Sequence, residues 1–114
     1  MKLVTYNIQY GVGKDGKCDL GRIAPAVRGA DIIALQEVVR HMPMTGAGDQ
    51  PAELAALLPD YYWVYGAAVD LDRSEVGEDG AIVNRRMQFG NMLLARRPIL
   101  SSRLFTLPKL SAVD

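Results

Sequence analysis

Two short apolar runs, each closing on a polar side chain, constrain this chain more than anything else in it. The first, Lys2–Ile8, is rich in β-branched residues and ends in glycine and charge; the second, Asp31–Glu37, reads Asp-Ile-Ile-Ala-Leu-Gln-Glu. Both have the length and composition of buried strands. Between them lies a helical pattern: Asp19 is a candidate N-cap, Leu20, Ile23, Ala24 and Val27 share one face, and Gly29 suits a C-terminal cap. Pro25 is compatible with that helix only within its first turn. Strand, crossover helix and strand make a βαβ unit, whose two strands are expected to run parallel, either side by side or with another strand between them. Their carboxyl ends, Asn7 and Glu37, then fall on one edge of the sheet, the edge at which open α/β sheets bind ligands.

The rest of the chain reads as shorter elements. His41–Gln50 is a loop rich in Met, Gly and Pro. Pro51 opens a second helix with Glu53 in its first turn and Leu54, Leu57 and Leu58 as its apolar stripe, and Pro59 closes it. Tyr61–Val69 is aromatic and β-branched, a strand. Asp70–Arg85 reads as an acidic, glycine-containing loop. Gln88–Ala95 and Ile99–Leu107 read as strands joined in a hairpin by the turn Arg96-Arg97-Pro98. The composite is an α/β fold with a mixed sheet, parallel in its first half and antiparallel in its second.

Length and charge narrow the function classes. A chain of 114 residues forms one small domain with a real core. The formal net charge is zero, so bulk charge gives no support to a nucleic-acid substrate, which calls for a basic stripe. Cys18 is the one cysteine; it excludes an internal disulfide and a Cys-rich zinc site, and a lone thiol suits a reducing cytoplasm. Polar residues follow Met1 too soon for a signal-peptide apolar region, although an export signal in a longer parent would precede Met1. No apolar run approaches the roughly 20 residues that span a bilayer.

Glu37 is the residue with the clearest chemical implication. A carboxylate at the end of a core strand is costly to desolvate without a partner. A hard cation such as Mg²⁺ supplies one, since it takes oxygen ligands from one or two carboxylates plus substrate phosphate. Asn7, at the matching end of the first strand, offers an amide oxygen that can ligate or orient without adding charge. On pattern alone a second reading stays open, in which Glu37 leaves the sheet into water and Asn7 starts a turn.

Three segments carry a family resemblance. Thr5-Tyr6-Asn7-Ile8-Gln9-Tyr10-Gly11, Ala30-Asp31-Ile32-Ile33-Ala34-Leu35-Gln36-Glu37-Val38 and Phe89-Gly90-Asn91-Met92-Leu93-Leu94-Ala95-Arg96-Arg97-Pro98-Ile99 resemble, in order, three motifs of the endonuclease/exonuclease/phosphatase superfamily of deoxyribonuclease-like phosphohydrolases. The second is the most specific; in the third, Ala95 stands where the family more often has Ser. The resemblance implies residues 1–114 as a partial domain whose C-terminal half is missing, the N-terminal half of a four-layer α/β sandwich with helices on one face of a mixed sheet. It implies a divalent-metal-dependent phosphoesterase, with Mg²⁺ or Mn²⁺ as cofactor, Asn7 and Glu37 as catalytic residues and Glu37, with Asn7, on the metal side. The family's Asp-x-Asn and Ser-Asp-His motifs, which supply the base, are absent, so the chain alone is expected to be inactive on a phosphodiester or phosphomonoester. His41 does not match the family's base and reads as a solvated loop residue that can touch phosphate. Half a sandwich would expose the sheet face meant for the second sheet, which invites either self-association through it or instability. The competing class is a non-catalytic binding module with a degenerate metal site.

Other candidates carry less. Gly11–Cys18 fits G-x-x-x-x-G-K but has Cys where a P-loop has Ser or Thr, and Gln36 stands in the position of the Walker B Asp. Arg85, Arg86, Arg96 and Arg97 could touch phosphate but read as solvated surface. Asp70, Asp72, Glu75, Glu78 and Asp79 miss the EF-hand spacing. Tyr61, Tyr62, Trp63 and Tyr65 read as core and sheet-face residues rather than a stacking platform.

Overall fold

The computed structural model of the protein describes residues 1–43 and 47–105. Its centre is a four-stranded mixed sheet in the order β1-β2-β6-β3. The strands are β1 (Leu3–Asn7), β2 (Ile32–Arg40), β3 (Tyr62–Asp72) and β6 (Arg86–Ala95); a two-stranded ribbon, β4 (Glu75–Val76) with β5 (Ile82–Val83), joins β3 to β6. β1 and β2 are parallel neighbours, with Leu3 opposite Ile32 and Asn7 opposite Gln36. β6 is antiparallel to both β2 and β3. The carboxyl ends of β1, β2 and β3 therefore share one edge.

The crossover is tighter than a single helix. Asp19 caps a 3₁₀ turn, Leu20–Arg22, by accepting a 2.9 Å hydrogen bond from the Gly21 amide. The α-helix α1 then runs only over Ile23–Val27, which leaves Pro25 in the first turn, where its missing N–H costs nothing. Gly29 follows with φ +99°, a conformation that favours glycine after a helix end. Leu20, Ile23, Ala24 and Val27 are all buried, as their shared face requires. The second helix, α2 (Gln50–Leu57), is capped by Asp49, whose Oδ1 accepts from the Ala52 amide at 3.2 Å. Leu54 and Leu58 drive it into the same core as Ile33, Leu35, Met92 and Leu94.

Both helices thus cover one face of the sheet. Register places Leu3, Ile32, Ala95 and Tyr62 in one row of the other face and Thr5, Ala34, Leu93 and Val64 in the next. Of these, Leu3, Tyr62 and Leu93 are exposed. Among the described residues, no helix is long and apolar enough to cross a membrane.

Four expectations need correction. β2 does not end at Glu37 but runs on to Arg40. Gln50, expected in the loop, is the first residue of α2. Asp70–Arg85 is not one loop: β3 extends to Asp72, and β4 and β5 pair within it. Ile99–Leu107 is not a strand over residues 99–105, and residues 106–107 lie outside the described ones. The physical reason is that β6 already has a partner on each side, β2 and β3, so the chain after Pro98 finds no free β6 edge to pair with. Pro98 itself offers no donor.

Candidate active site at the strand edge

The site grows out of two local distortions. At the end of β1 the Asn7 Oδ1 accepts the Gln9 amide at 3.0 Å, an Asx turn. The chain then passes through Gln9 (φ +50°), Tyr10 (φ +60°) and Gly11 (φ +77°). In β2, Leu35 opposes Met92 and Val38 opposes Gly90, so Gln36 and Glu37 together face the single residue Asn91. That is a β-bulge, and Glu37 takes φ +57° within it. Non-glycine residues with positive φ are uncommon and cluster where surrounding structure enforces them. Gln9, Tyr10, Glu37 and His41 all lie in or just beyond the carboxyl-terminal parts of β1 and β2.

The bulge explains how a carboxylate sits inside a core strand. Ile33 and Leu35 point into the helix-covered core, and strict alternation would bring residue 37 there next. The extra residue hands that position to Val38, which is fully buried, and leaves Glu37 half-buried. The Glu37 carboxylate has no hydrogen bond or ion pair within the described residues. Gln36 is anchored instead: its Nε2 donates to Thr5 Oγ1 at 3.0 Å and to the Ala34 carbonyl at 3.3 Å, tying β2 to β1 beside Asn7.

Gln50 and Arg40 complete the support, and the sequence singled out neither. Gln50 is fully buried. Its Oε1 accepts the Val39 amide at 3.0 Å, two residues past Glu37, and its Nε2 donates to the Tyr10 carbonyl at 2.6 Å and to Cys18 Sγ at 3.7 Å. One side chain thus joins the turn after Asn7 to the strand after Glu37. Arg40 pairs with Asp49 at 3.0 Å, donates to Gln88 Oε1 at 2.8 Å and lies 4.9 Å from the Tyr65 ring centre. Tyr65 donates its hydroxyl to the Val38 carbonyl at 2.8 Å, and burial pushes its pKa up to about 12. The one sequence signal for Gln50 was its place between a capping Asp49 and Pro51, which marks a helix start but not burial.

The remaining candidates sort by partner. Arg86 pairs with Asp70 at 2.9 Å, which holds that carboxyl below its usual range. Arg96 donates to the Ala30 carbonyl at 3.2 Å, so its role is structural. Asp72 and Asp79 accept the Ser74 and Ala81 amides, the bonds of turns rather than of a calcium loop. Tyr61 is buried and donates to the Ala30 carbonyl at 2.6 Å. Gly11–Cys18 folds back on itself, with Gly13 N–H on the Lys17 carbonyl at 3.0 Å and Val12 bridged to Cys18. A 3₁₀ turn separates it from α1, so no helix N-terminus follows Lys17 as a P-loop requires. Among the described residues, no three His, Cys, Asp or Glu side chains converge as a metal cage.

A half-layered mixed sheet with a strained, oxygen-bearing carboxyl edge is the class that fold and site define. In fold and in sequence, the chain is similar to the endonuclease/exonuclease/phosphatase superfamily. The crystal structure of an endonuclease/exonuclease/phosphatase from Beutenbergia cavernae matches with a TM-score of 0.61 and 34% identity, over 87% of this chain and 27% of that one. The chain thus spans about a quarter of the length of the protein it matches. No family model and no curated protein matches it.

Proposed function

We propose that this chain forms the metal-binding side of a divalent-metal-dependent phosphoesterase. The observation that carries the reading is the Glu37 carboxylate, unpartnered among the described residues and presented by a left-handed bulge on the edge where Asn7 ends β1. The donor set is all oxygen, which fits Mg²⁺ or Mn²⁺ rather than a softer ion. Glu37 would supply the charged ligand, and the Asn7 amide, held by its bond to Gln9, would ligate or orient. A cation bound there supplies Lewis-acid neutralisation of a phosphate ester. The chain's own part is to hold the two oxygens on a bulge and a turn that Gln50 locks together. Water would fill most of the coordination shell, so binding by this chain is weak. The general base lies outside this chain, in the remainder of the domain, and the substrate is a phosphate ester of either the diester or the monoester kind.

Backbone-amide NMR during an Mg²⁺ titration tests the reading. Weak, saturable shifts confined to Asn7, Gln36 and Glu37 are expected, and Glu37→Gln should remove them while the rest of the spectrum is unchanged. Phosphate-ester hydrolysis by the chain alone should be negligible. Robust metal-dependent hydrolysis that survives Glu37→Gln, or Mg²⁺ shifts remote from these residues, would refute it.

A further inference from the structure

A second cleft opens on the same edge of the sheet, beyond β2 and β3. It has a volume of about 410 Å³, and His41, Arg73, Glu75 and Arg85 are among its lining residues. Arg73 follows β3 and Arg85 precedes β6, and the Arg73 amide donates to the Arg85 carbonyl at 2.9 Å, so the two residues are held side by side. Like charges so placed repel unless something neutralises them. Elsewhere the guanidinium groups are mostly spoken for: Arg22 by Asp15, Arg40 by Asp49, Arg86 by Asp70, and Arg28 and Arg96 by backbone carbonyls. The Arg73 and Arg85 side chains have no hydrogen bond or ion pair among the described residues, and Glu75, in the same cleft, pairs with neither. His41 enters from the end of β2 with its backbone fixed by a 2.8 Å bond to the Gly48 carbonyl.

We infer that this cleft is an anion subsite, in which His41, Arg73 and Arg85 hold a phosphate group of the substrate other than the one at Glu37. The proposal rests on the phosphoesterase reading above. Four residues of strand separate Glu37 from His41, about 13 Å at the usual rise, too far for one phosphate to serve both places. The substrate class is therefore one with at least two phosphate groups. Planar guanidinium groups suit phosphate oxygens, since each can donate two hydrogen bonds.

NMR of the full chain tests this with two probes. Inorganic phosphate, without Mg²⁺, should shift the amides of His41, Arg73 and Arg85. The double variant Arg73→Ala/Arg85→Ala should weaken it at least tenfold. Arg97→Ala, at an exposed guanidinium outside the cleft, should leave it unchanged. A linear polyphosphate long enough to reach from His41 to Glu37 should, with Mg²⁺, bind at least tenfold tighter than inorganic phosphate. Glu37→Gln should return it to the inorganic-phosphate level. If phosphate shifts none of the cleft amides, or Arg97→Ala weakens it equally, the subsite is overturned. Equal affinity for the two probes would mean a site for free phosphate and overturns the substrate assignment. Mg²⁺ alone reports on Glu37 without involving the cleft, so failure of the metal reading is seen separately.

Discussion

Replacing Gln50 with leucine tests whether one buried amide holds the candidate site together. Leucine is close to glutamine in volume, so little cavity arises and the cost is polar. The change strips the Val39 amide of its 3.0 Å acceptor and the Tyr10 carbonyl of its 2.6 Å donor, around a side chain with 0% exposure. Leaving the buried Val39 amide unpaired costs about 1–3 kcal/mol, and the half-buried Tyr10 carbonyl, which keeps a 3.4 Å bond from the Cys18 thiol, loses about 1 kcal/mol, so the two together cost about 2–4 kcal/mol. Burying a leucine in place of an amide returns roughly 1–2 kcal/mol. Taking the middle of each range, the net loss is about 1.5 kcal/mol, out of the roughly 5–15 kcal/mol typical of a domain. Urea unfolding followed by far-UV circular dichroism measures it, with a lower midpoint and an unchanged slope expected. At about 4 °C per kcal/mol for a chain of this size, the melting temperature should fall by roughly 6 °C. An unchanged or raised midpoint would refute the reasoning, because it would mean that water or a shifted backbone satisfies the Val39 amide.

Two further outcomes follow from the same structure. Gly90→Ala would drive a Cβ into the Gly66 carbonyl and to 2.9 Å from the Ala67 Cα, so it should destabilise the chain by about 3 kcal/mol or abolish folding; a melting temperature within a degree of the parent's would contradict the close approach of β3 and β6. Tyr65 has its pKa raised from 10.0 to about 12, chiefly by burial. The folded state therefore prefers the neutral phenol, and its contribution is present below pH 10 and lost as pH rises through about 12. Ultraviolet phenolate titration should show one late-ionising tyrosine that disappears in Tyr65→Phe, and equal titration of parent and variant would count against its burial.

Much of this was legible because it is local. The apolar runs at Lys2–Ile8 and Asp31–Glu37, the shared face of Leu20, Ile23, Ala24 and Val27, and Gly29 after the helix each follow from period and backbone preference, and the structure has all of them. The parallel run of β1 and β2 followed from the strand, helix, strand order of the first 37 residues. What escaped was non-local. The hairpin expected from Arg96-Arg97-Pro98 fails because β6 is occupied on both edges, a fact of sheet order that no window of sequence carries. The continuation of β2 past Glu37 depends on a bulge, and a bulge breaks the alternation by which strands are recognised. Gln50 reads as a polar loop residue because nothing in its neighbourhood shows which backbone groups will need it. Of the candidate site, the end of β1 at Asn7 was legible; the course of β2 past Glu37 and the side chains that hold the two strands together there were not.

The central place of β6 bears on how the chain acquires its structure. Residues 32–40 and 62–72 make no ladder with each other; each bonds to residues 86–95, which lie between them. Until that last strand arrives, β2 has one backbone edge open and β3 has no partner in the sheet. During synthesis at about 5–20 residues per second, the interval between making β2 and making β6 lasts seconds. Throughout it, the Ile32–Leu35 stretch presents unpaired amides and carbonyls, the kind of edge that other extended chains add to. The β2 edge is consequently covered only once residues 86–95 have been made, the latest in the chain of the four described strands of this sheet.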